Sequence, residues 1–293
     1  MKRTLILQAP AKVNISLWVK EKRTDGYHEL TTLMQSLTLS DTITLQETRE
    51  EGIQVECDNP LIPVDSGNLA YKAAQVFFHH FGINTGLLIR IQKRIPVAGG
   101  MAGGSTDAAA VLNGLARLYD RGLTMADKMK LSLAIGSDVP FVLRGGLAAA
   151  SGRGEILTFF EPPRPPLFVL IAVPKGVEVS TRWCYENYRP GLIKRDPELF
   201  SEILTAYRRR DLAFLRNNIF NDLESVTFKR YLEVAAVKDA LMNEGSGAVL
   251  MSGSGPSVFG LYYDRKQATK AASCLDISKV NLFLEQTSRG SHF

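Results

Sequence analysis

The stretch Pro96-Val97-Ala98-Gly99-Gly100-Met101-Ala102-Gly103-Gly104-Ser105-Thr106-Asp107-Ala108-Ala109-Ala110 sets the narrowest limits on what this chain can fold into. Its glycines lack the Cβ atoms that hold another molecule away from the backbone, and they admit positive φ angles. Ser105, Thr106 and Asp107 are residue types that cap and open helices, and Asp107 suits the positive end of a helix dipole. The run from Ala108 to Leu112, with Leu115 and Leu118 at helical spacing, predicts that a helix follows. A glycine loop feeding a helix start leaves several N–H groups without intrahelical partners, all aimed at one spot. Phosphate fits that spot. A flexible connector does not normally run straight into such a helix.

The loop departs from two familiar phosphate binders. Gly99 and Gly104 have the spacing of a P-loop, but Ser105 stands where that motif needs lysine. No window satisfies the dinucleotide fingerprint Gly-x-Gly-x-x-Gly after a strand. Positive charge and any catalytic base must therefore come from elsewhere in the chain.

A length of 293 residues suggests about two domains, and 45% hydrophobic with 22% charged residues is ordinary for a globular protein. The net charge of +5 invites a nucleic-acid reading. Yet the basic residues are scattered, with clusters only at Arg208-Arg209-Arg210 and from Lys20 to Arg23. A mildly basic balance suits an anionic small substrate equally well, and no nucleic-acid partner is expected. Cys57, Cys184 and Cys274 lie far apart without metal-like spacing, which favours a reduced, cytoplasmic protein and no structural metal. No apolar run approaches ~18 residues and Pro10 interrupts the N-terminus early, so neither a membrane span nor a signal peptide is expected. A monomer and a homodimer are equally compatible with the sequence.

Alternation of Val13, Ile15, Leu17 and Val19 with Lys12, Asn14, Ser16 and Trp18 predicts a strand with Lys12 and Asn14 on the face opposite the core. Extended patterns at Tyr27 to Leu30, Thr42 to Gln46, Ile53 to Cys57 and Leu87 to Ile91 suggest a largely antiparallel sheet. Helices are expected from Asn68 to Gly82, from the glycine loop to about Tyr119, and from Thr124, with Asp127 completing a capping box, to Gly136. Strands are expected at Leu147 to Ala150 and Ile156 to Phe160. Pro162-Pro163-Arg164-Pro165-Pro166 is the clearest break, dividing residues 1–162 from 163–287, with 288–293 a frayed or appended tail. The second half opens with strand Leu167 to Val173. Helices at Pro197 to Arg208, Asp211 to Asn217 and Leu232 to Met242 follow. Strands Ala248 to Met251 and Val258 to Tyr262, a helix from Ala268 to Cys274 and strand Val280 to Leu284 complete an α+β chain.

Three short pieces join the glycine loop as candidates for chemistry. Lys12, near a strand start and away from the core, reads by itself as a solvated charge. Asp138, between Gly136 and Pro140, reads by itself as a helix N-cap. The glycine-rich Ser252-Gly253-Ser254-Gly255-Pro256-Ser257 reads by itself as a hairpin turn. His79 and His80, with no acids near them in sequence, read as surface residues.

Taken together, Pro10-Ala11-Lys12-Val13-Asn14, the Pro96 to Ala110 loop and Ser252-Gly253-Ser254-Gly255 resemble the three signature motifs of the GHMP small-molecule kinases, in the family's order and spacing. The resemblance runs from about residue 8 to 285. Gly26-Tyr27-His28-Glu29, Gly136-Ser137-Asp138-Val139-Pro140, Gly152-Arg153-Gly154-Glu155 and Asn221-Asp222-Leu223-Glu224 are similar to one branch. That branch phosphorylates the 2-hydroxyl of a cytidine-diphosphate-linked methylerythritol in non-mevalonate isoprenoid synthesis. Met101-Ala102 departs from the family's more frequent Leu-Gly, and the single added methyl is expected to leave phosphate approach intact.

The resemblance implies an α+β, two-domain GHMP kinase fold: a ribosomal-protein-like nucleotide-binding domain followed by a ferredoxin-like sandwich. It implies ATP as phosphoryl donor, held by residues Pro96 to Thr106, with Mg²⁺ between the β- and γ-phosphates; it assigns no side-chain metal ligand, and Ser105 and Thr106 are the hydroxyls nearest in sequence to that place. Asp138 matches the catalytic base that takes the hydroxyl proton, and Lys12 the cation that accompanies it. Tyr27 and His28 match positions that hold cytosine, although a Tyr-His pair after an Asp-Gly turn also suits simple packing. Asn14 is expected on a substrate hydroxyl or phosphate. Tyr185 is expected as the opposing aromatic, with Trp183 as its competitor. Two readings stand beside this one: another GHMP kinase acting on homoserine, mevalonate or a sugar, and a non-catalytic nucleotide- or RNA-binding protein of the same fold. A base-stacking Tyr27 argues against the first, and the pair Lys12 and Asp138 against the second.

Overall fold

The computed structural model of the chain describes residues 3–191 and 195–290. Two strands dominate its first half: β1 (Thr4–Lys22) and β2 (His28–Thr48) pair antiparallel along their length. Both run far beyond the short alternating segments that mark them in sequence. β3 (Gly52–Cys57), helix α1 (Leu69–Phe81) and β4 (Gly86–Gln92) follow. Asn68 caps α1 by accepting from the Ala70 amide, and Gly82 ends it in the left-handed conformation, as the sequence predicts. Helices α2 (Gly103–Leu118), α3 (Met125–Leu133) and α4 (Val139–Arg144) precede strands β5 (Leu147–Gly152) and β6 (Ile156–Phe160). The Thr124–Asp127 capping box forms.

β2 organises this sheet. One of its edges carries β1, and its other edge is shared between β4, at Thr42–Thr48, and β5, at Leu30–Gln35. Only β3 and β4 run parallel among the pairs of this sheet. Helices α1 and α2 pack on one face through Ala73, Phe77, Ala109, Leu112 and Leu115, whose small and large side chains interlock with Ile43, Leu45 and Ile89.

The second half begins with β7 (Phe168–Pro174) and then five helices: α5 (Thr181–Asn187), α6 (Pro197–Arg209), α7 (Leu212–Asn218), α8 (Glu224–Arg230) and α9 (Leu232–Glu244). β8 (Ala248–Met251), β9 (Val258–Tyr262), α10 (Arg265–Ala272) and β10 (Val280–Gln286) close the chain. The all-antiparallel order β10-β7-β9-β8 is the ferredoxin-like arrangement. Two short helices, α5 and α8, have no counterpart among the sequence expectations, and α4 is expected only through Asp138 as its N-cap; each spans fewer than two full amphipathic periods, too short for periodicity to show.

The halves share apolar packing. Val13, Ile15, Leu33 and Leu37 from the first sheet meet Leu167, Val169, Ile171 and Phe259 from the second, all fully buried. The expected tail is part of this junction as far as Gly290. The Ser288 amide donates to Ser36 O at 2.8 Å, and Gln35 Nε2 donates to Ser288 O at 2.6 Å. Residues 291–293 lie outside the described residues.

Candidate active site

The face of β1 opposite the shared core does carry Lys12 and Asn14, as period two requires. It is not a solvated face. Register shifts between Pro10 and Lys12 and between Asn14 and Ser16 twist the strand, and the glycine loop lies across it. The Lys12 amide donates to Met101 O at 3.2 Å, and Thr106 Oγ1 donates to Pro10 O at 2.7 Å. Lys12 is thereby only 4% exposed. Its ammonium donates to Asn14 Oδ1 at 2.7 Å; Asn14 Nδ2 donates to Thr32 Oγ1 at 2.8 Å, and Thr32 Oγ1 to Ser16 O at 2.7 Å. This chain of donors fixes the Lys12 head group.

Asp138 occupies the cap position of α4, yet its side chain makes no capping bond. Its Oδ2 instead lies 3.8 Å from Lys12 Nζ, at the wall of a cleft of about 940 Å³. The same cleft is lined by every residue from Pro96 to Ser105, by Asn14, Tyr27, His28 and Tyr185, and by Gly253 and Ser254 of the second glycine-rich loop.

The glycine loop ends differently from the expected capping pattern. Ala102, with φ 60° and ψ 29°, is the residue before the first turn of α2, and Gly103, Gly104 and Ser105 form that turn. Their amides lack intrahelical acceptors and face the cleft. Thr106 does not belong with them. Its amide donates to Ala102 O at 2.9 Å, its hydroxyl is spent on Pro10, and it is buried outside the cleft lining. Of the two hydroxyls expected near a metal, Ser105 alone remains available.

Asp107 is displaced from its expected role as well. It lies beyond the first turn, buried, with Lys93 Nζ 2.9 Å from its Oδ2. Lys93 also donates to Asp41, whose Oδ1 accepts from the Arg94 and Ile95 amides at 2.6 and 2.9 Å. Burial works to lower Lys93, but the charges of Asp107 and Asp41 outweigh it and raise its pKa. Burial raises the Asp107 carboxyl to about 7 against the pull of Lys93, with the Asp41 charge adding to the rise. A Cβ on Gly103 would stand 3.2 Å from Lys93 Nζ, so this charge cluster sits directly under the start of α2. Periodicity gives no sign of it, because its members come from β2, the segment after β4, and α2.

The Ser252–Ser257 loop joins β8 to β9 as the hairpin its sequence suggests, and it is also built into the side of the cleft formed by the glycine loop. Ser252 Oγ donates to Gly100 O at 2.9 Å. Gly100 has φ +70°, and a Cβ there would fall 2.2 Å from Ser252 O. Only glycine permits the two loops to meet this closely.

At the other end, Tyr27 is 54% exposed with its ring 4.9 Å below the Arg153 guanidinium. His28 is buried, its ring 5.6 Å from that of Tyr185. Burial and the nearby Lys22 charge lower the His28 pKa, favouring a neutral ring with one donor and one acceptor nitrogen. Burial, with the Asp138 charge, holds the Tyr185 phenol above its usual range and so protonated. Trp183 turns away, its ring packed edge-on against Tyr231 and under Arg230. His79 and His80 are exposed, as expected. Sequence reasoning missed Lys22, Thr181 and Arg182 and gave Arg153 no role beyond its motif; all four add polar and cationic groups to the cleft.

Comparison with known proteins agrees with this arrangement. Residues 68–146 match the GHMP kinases N terminal domain, and residues 188–280 match the GHMP kinases C terminal family. The chain belongs to the GHMP kinase family. A 4-diphosphocytidyl-2-C-methyl-D-erythritol kinase of Acetivibrio thermocellus is 42% identical over 284 residues, 97% of this chain and 99% of that one. The protein of the same name from Syntrophomonas wolfei is 41% identical, over 97% and 98% of the two chains. Among solved structures, a 4-(cytidine 5'-diphospho)-2C-methyl-D-erythritol kinase superposes with a TM-score of 0.80 at 34% identity, covering 99% of this chain and all of that one. A homoserine kinase from Cytophaga hutchinsonii, at 19% identity and a TM-score of 0.74, shares the fold. The two-domain GHMP kinase fold expected from the motifs is therefore the fold observed.

Proposed function

We propose that this GHMP kinase transfers the γ-phosphoryl group of ATP to the 2-hydroxyl of 4-diphosphocytidyl-2-C-methyl-D-erythritol. The relatives that cover nearly the whole chain carry that activity in their names. The observation that carries the reading in this molecule is one cleft joining a phosphate cradle, an acid–ammonium pair and an aromatic–imidazole wall.

The division of labour follows from the geometry. The first-turn amides of α2 hold the phosphates of ATP, and the helix dipole favours their charge. Asp138 takes the proton of the attacking hydroxyl as its oxygen bonds to the γ-phosphorus and the bond from phosphorus to the bridging oxygen breaks, releasing ADP. Lys12, fixed by Asn14, places positive charge beside the oxygen being deprotonated. Tyr27 offers a stacking face for cytosine, and neutral His28 one donor and one acceptor for the base edge.

Mg²⁺ fits the donors present. This ion usually keeps several waters and binds chiefly through substrate phosphates, and Ser105 is the hydroxyl placed to complete such a shell. Bound between the phosphates, it would neutralise their charge. With the Thr106 hydroxyl spent on Pro10, Ser105 is the protein group left to hold it. Among the described residues no cluster of three or more His, Cys, Asp or Glu side chains forms a metal cage of its own.

The three cysteines are unpaired, which suits the reducing cytoplasm, and no described helix is long and apolar enough to cross a membrane. The test is ADP release with the cytidine-diphosphate methylerythritol, mevalonate, homoserine and galactose offered separately. Turnover with the cytidine compound alone is expected. Equal turnover with any of the others would overturn the substrate, and ATP binding without turnover on any would overturn the kinase.

A further inference from the structure

Asn221-Asp222-Leu223-Glu224 marks the branch in sequence, yet none of its side chains lines the cleft. Its place in the fold is unusual. Asn221 and Leu17 form an isolated parallel bridge: the Leu17 amide donates to Phe220 O at 2.8 Å and the Asp222 amide to Leu17 O at 3.0 Å. The segment thus occupies the edge of β1 not paired with β2, at Leu17, three residues along the strand from Asn14.

Its two adjacent polar side chains then part company. Asn221 Nδ2 donates to Met251 O at 2.8 Å and to Gly253 O at 2.7 Å, holding the second glycine-rich loop that in turn grips Gly100. Asp222, fully buried, turns the other way. Its Oδ2 accepts from the Val19 amide at 3.0 Å and lies 3.4 Å from the Tyr188 hydroxyl, which also reaches Val19 O at 3.0 Å. Its Oδ1 accepts both Nε and Nη2 of Arg195, at 2.8 and 2.6 Å, and Arg195 stacks 3.4 Å over the Phe220 ring. The Tyr188 ring meets His28 edge-on at 6.1 Å, and His28 also contacts Tyr185.

We propose that Asn221 and Asp222 are positioning residues serving opposite ends of the cleft: Asn221 sets the phosphate side through Gly253, and Asp222, clamped by Arg195, sets the base-binding wall through Tyr188 and His28. Neither touches substrate. A buried carboxylate held by a bidentate guanidinium is a stiff support, because losing either partner strands the other charge. The wall it supports is built from rings, which bind a base well only at a fixed spacing. This inference rests on the cytidine-substrate reading.

The experiment measures Kd for CDP and for ADP by calorimetry on Asp222→Asn, Tyr188→Phe and Asn221→Ala, beside the unsubstituted protein. Asp222→Asn is expected to weaken CDP about three- to tenfold, the scale of one net hydrogen bond, with ADP unchanged. Tyr188→Phe keeps the ring and removes only its tether, so it should weaken CDP in the same direction by less. Asn221→Ala should do the reverse, weakening ADP and sparing CDP. Wild-type CDP affinity in both Asp222→Asn and Tyr188→Phe would overturn the proposal, as would variants that weaken both ligands alike. If Asp222→Asn does not fold, Tyr188→Phe decides the question. Failure of the unsubstituted protein to bind CDP would instead refute the substrate reading.

Discussion

Lys12 Nζ and Asp138 Oδ2 stand 3.8 Å apart, with the ammonium buried beneath the glycine loop and the carboxylate open to the cleft. The asymmetry is chemically useful. The cation is held by Asn14 and cannot swing away, while the acid keeps a face free to receive a proton. Asp138→Asn is expected to retain ATP binding and lose turnover by a factor on the order of 10²–10⁴, the usual scale for a general base. Single-turnover kinetics with separately measured ATP affinity checks this; near wild-type turnover would remove Asp138 from the mechanism.

Tyr27 lies at the far end of the cleft, half exposed and backed by Arg153. Replacing it with alanine should raise KM for the cytidine substrate while leaving KM for ATP almost unchanged. Loss of one base-stacking ring corresponds to about 1–3 kcal/mol, hence roughly five- to 150-fold in KM. Steady-state kinetics in both substrates decides it, and parallel changes in the two KM values would exclude Tyr27 from base binding.

Ala102 holds a backbone conformation better suited to glycine. The residue must adopt φ 60° to turn the loop into α2, a conformation that costs an L-residue about 1–2 kcal/mol. Part of that is offset by the smaller entropy of the unfolded chain. Ala102→Gly should therefore raise the unfolding free energy by up to about 1 kcal/mol with ATP affinity retained. Denaturant unfolding reads the gain, and a destabilised variant would contradict the strain.

The buried Asp107 gives stability a pH dependence of definite sign. Its folded-state pKa of about 7 lies above the ordinary carboxylate value, so between the two the folded chain keeps a proton that the unfolded chain has released. This contribution favours folding below the ordinary value and is lost as pH rises toward 7. Asp107→Asn, neutral throughout, should flatten the decline in melting temperature between pH 5 and pH 8 relative to the unsubstituted protein. Parallel curves for the two proteins would show that Asp107 does not titrate in this window.

Local signals in the sequence reached far in this chain. The caps at Asn68, Gly82 and Thr124, the face that Lys12 shares with Asn14 and the hairpin at Ser252–Ser257 each depend on a few consecutive residues, and each forms as expected. The helix that follows the glycine loop is likewise legible, since glycine spacing followed by a helix start is a local property. What failed was also physical. Thr106 and Asp107 look like helix-opening residues, but positive φ angles at Gly100 and Ala102 place the first turn of α2 at Gly103 and carry both side chains inward.

The sequence by itself thus determined most of the strands and helices, where a glycine loop runs into a helix start and which residue types are available for proton transfer. Only the tertiary structure decided that Lys12 is buried rather than solvated, that Asp138 leaves its cap to face Lys12, that Tyr185 rather than Trp183 meets His28, and that Asn221 and Asp222 brace opposite ends of one cleft. The reason is range. Propensity and capping act over a few residues along the chain, whereas charge pairing and ring contacts act across space between elements that the backbone ordering alone does not bring together.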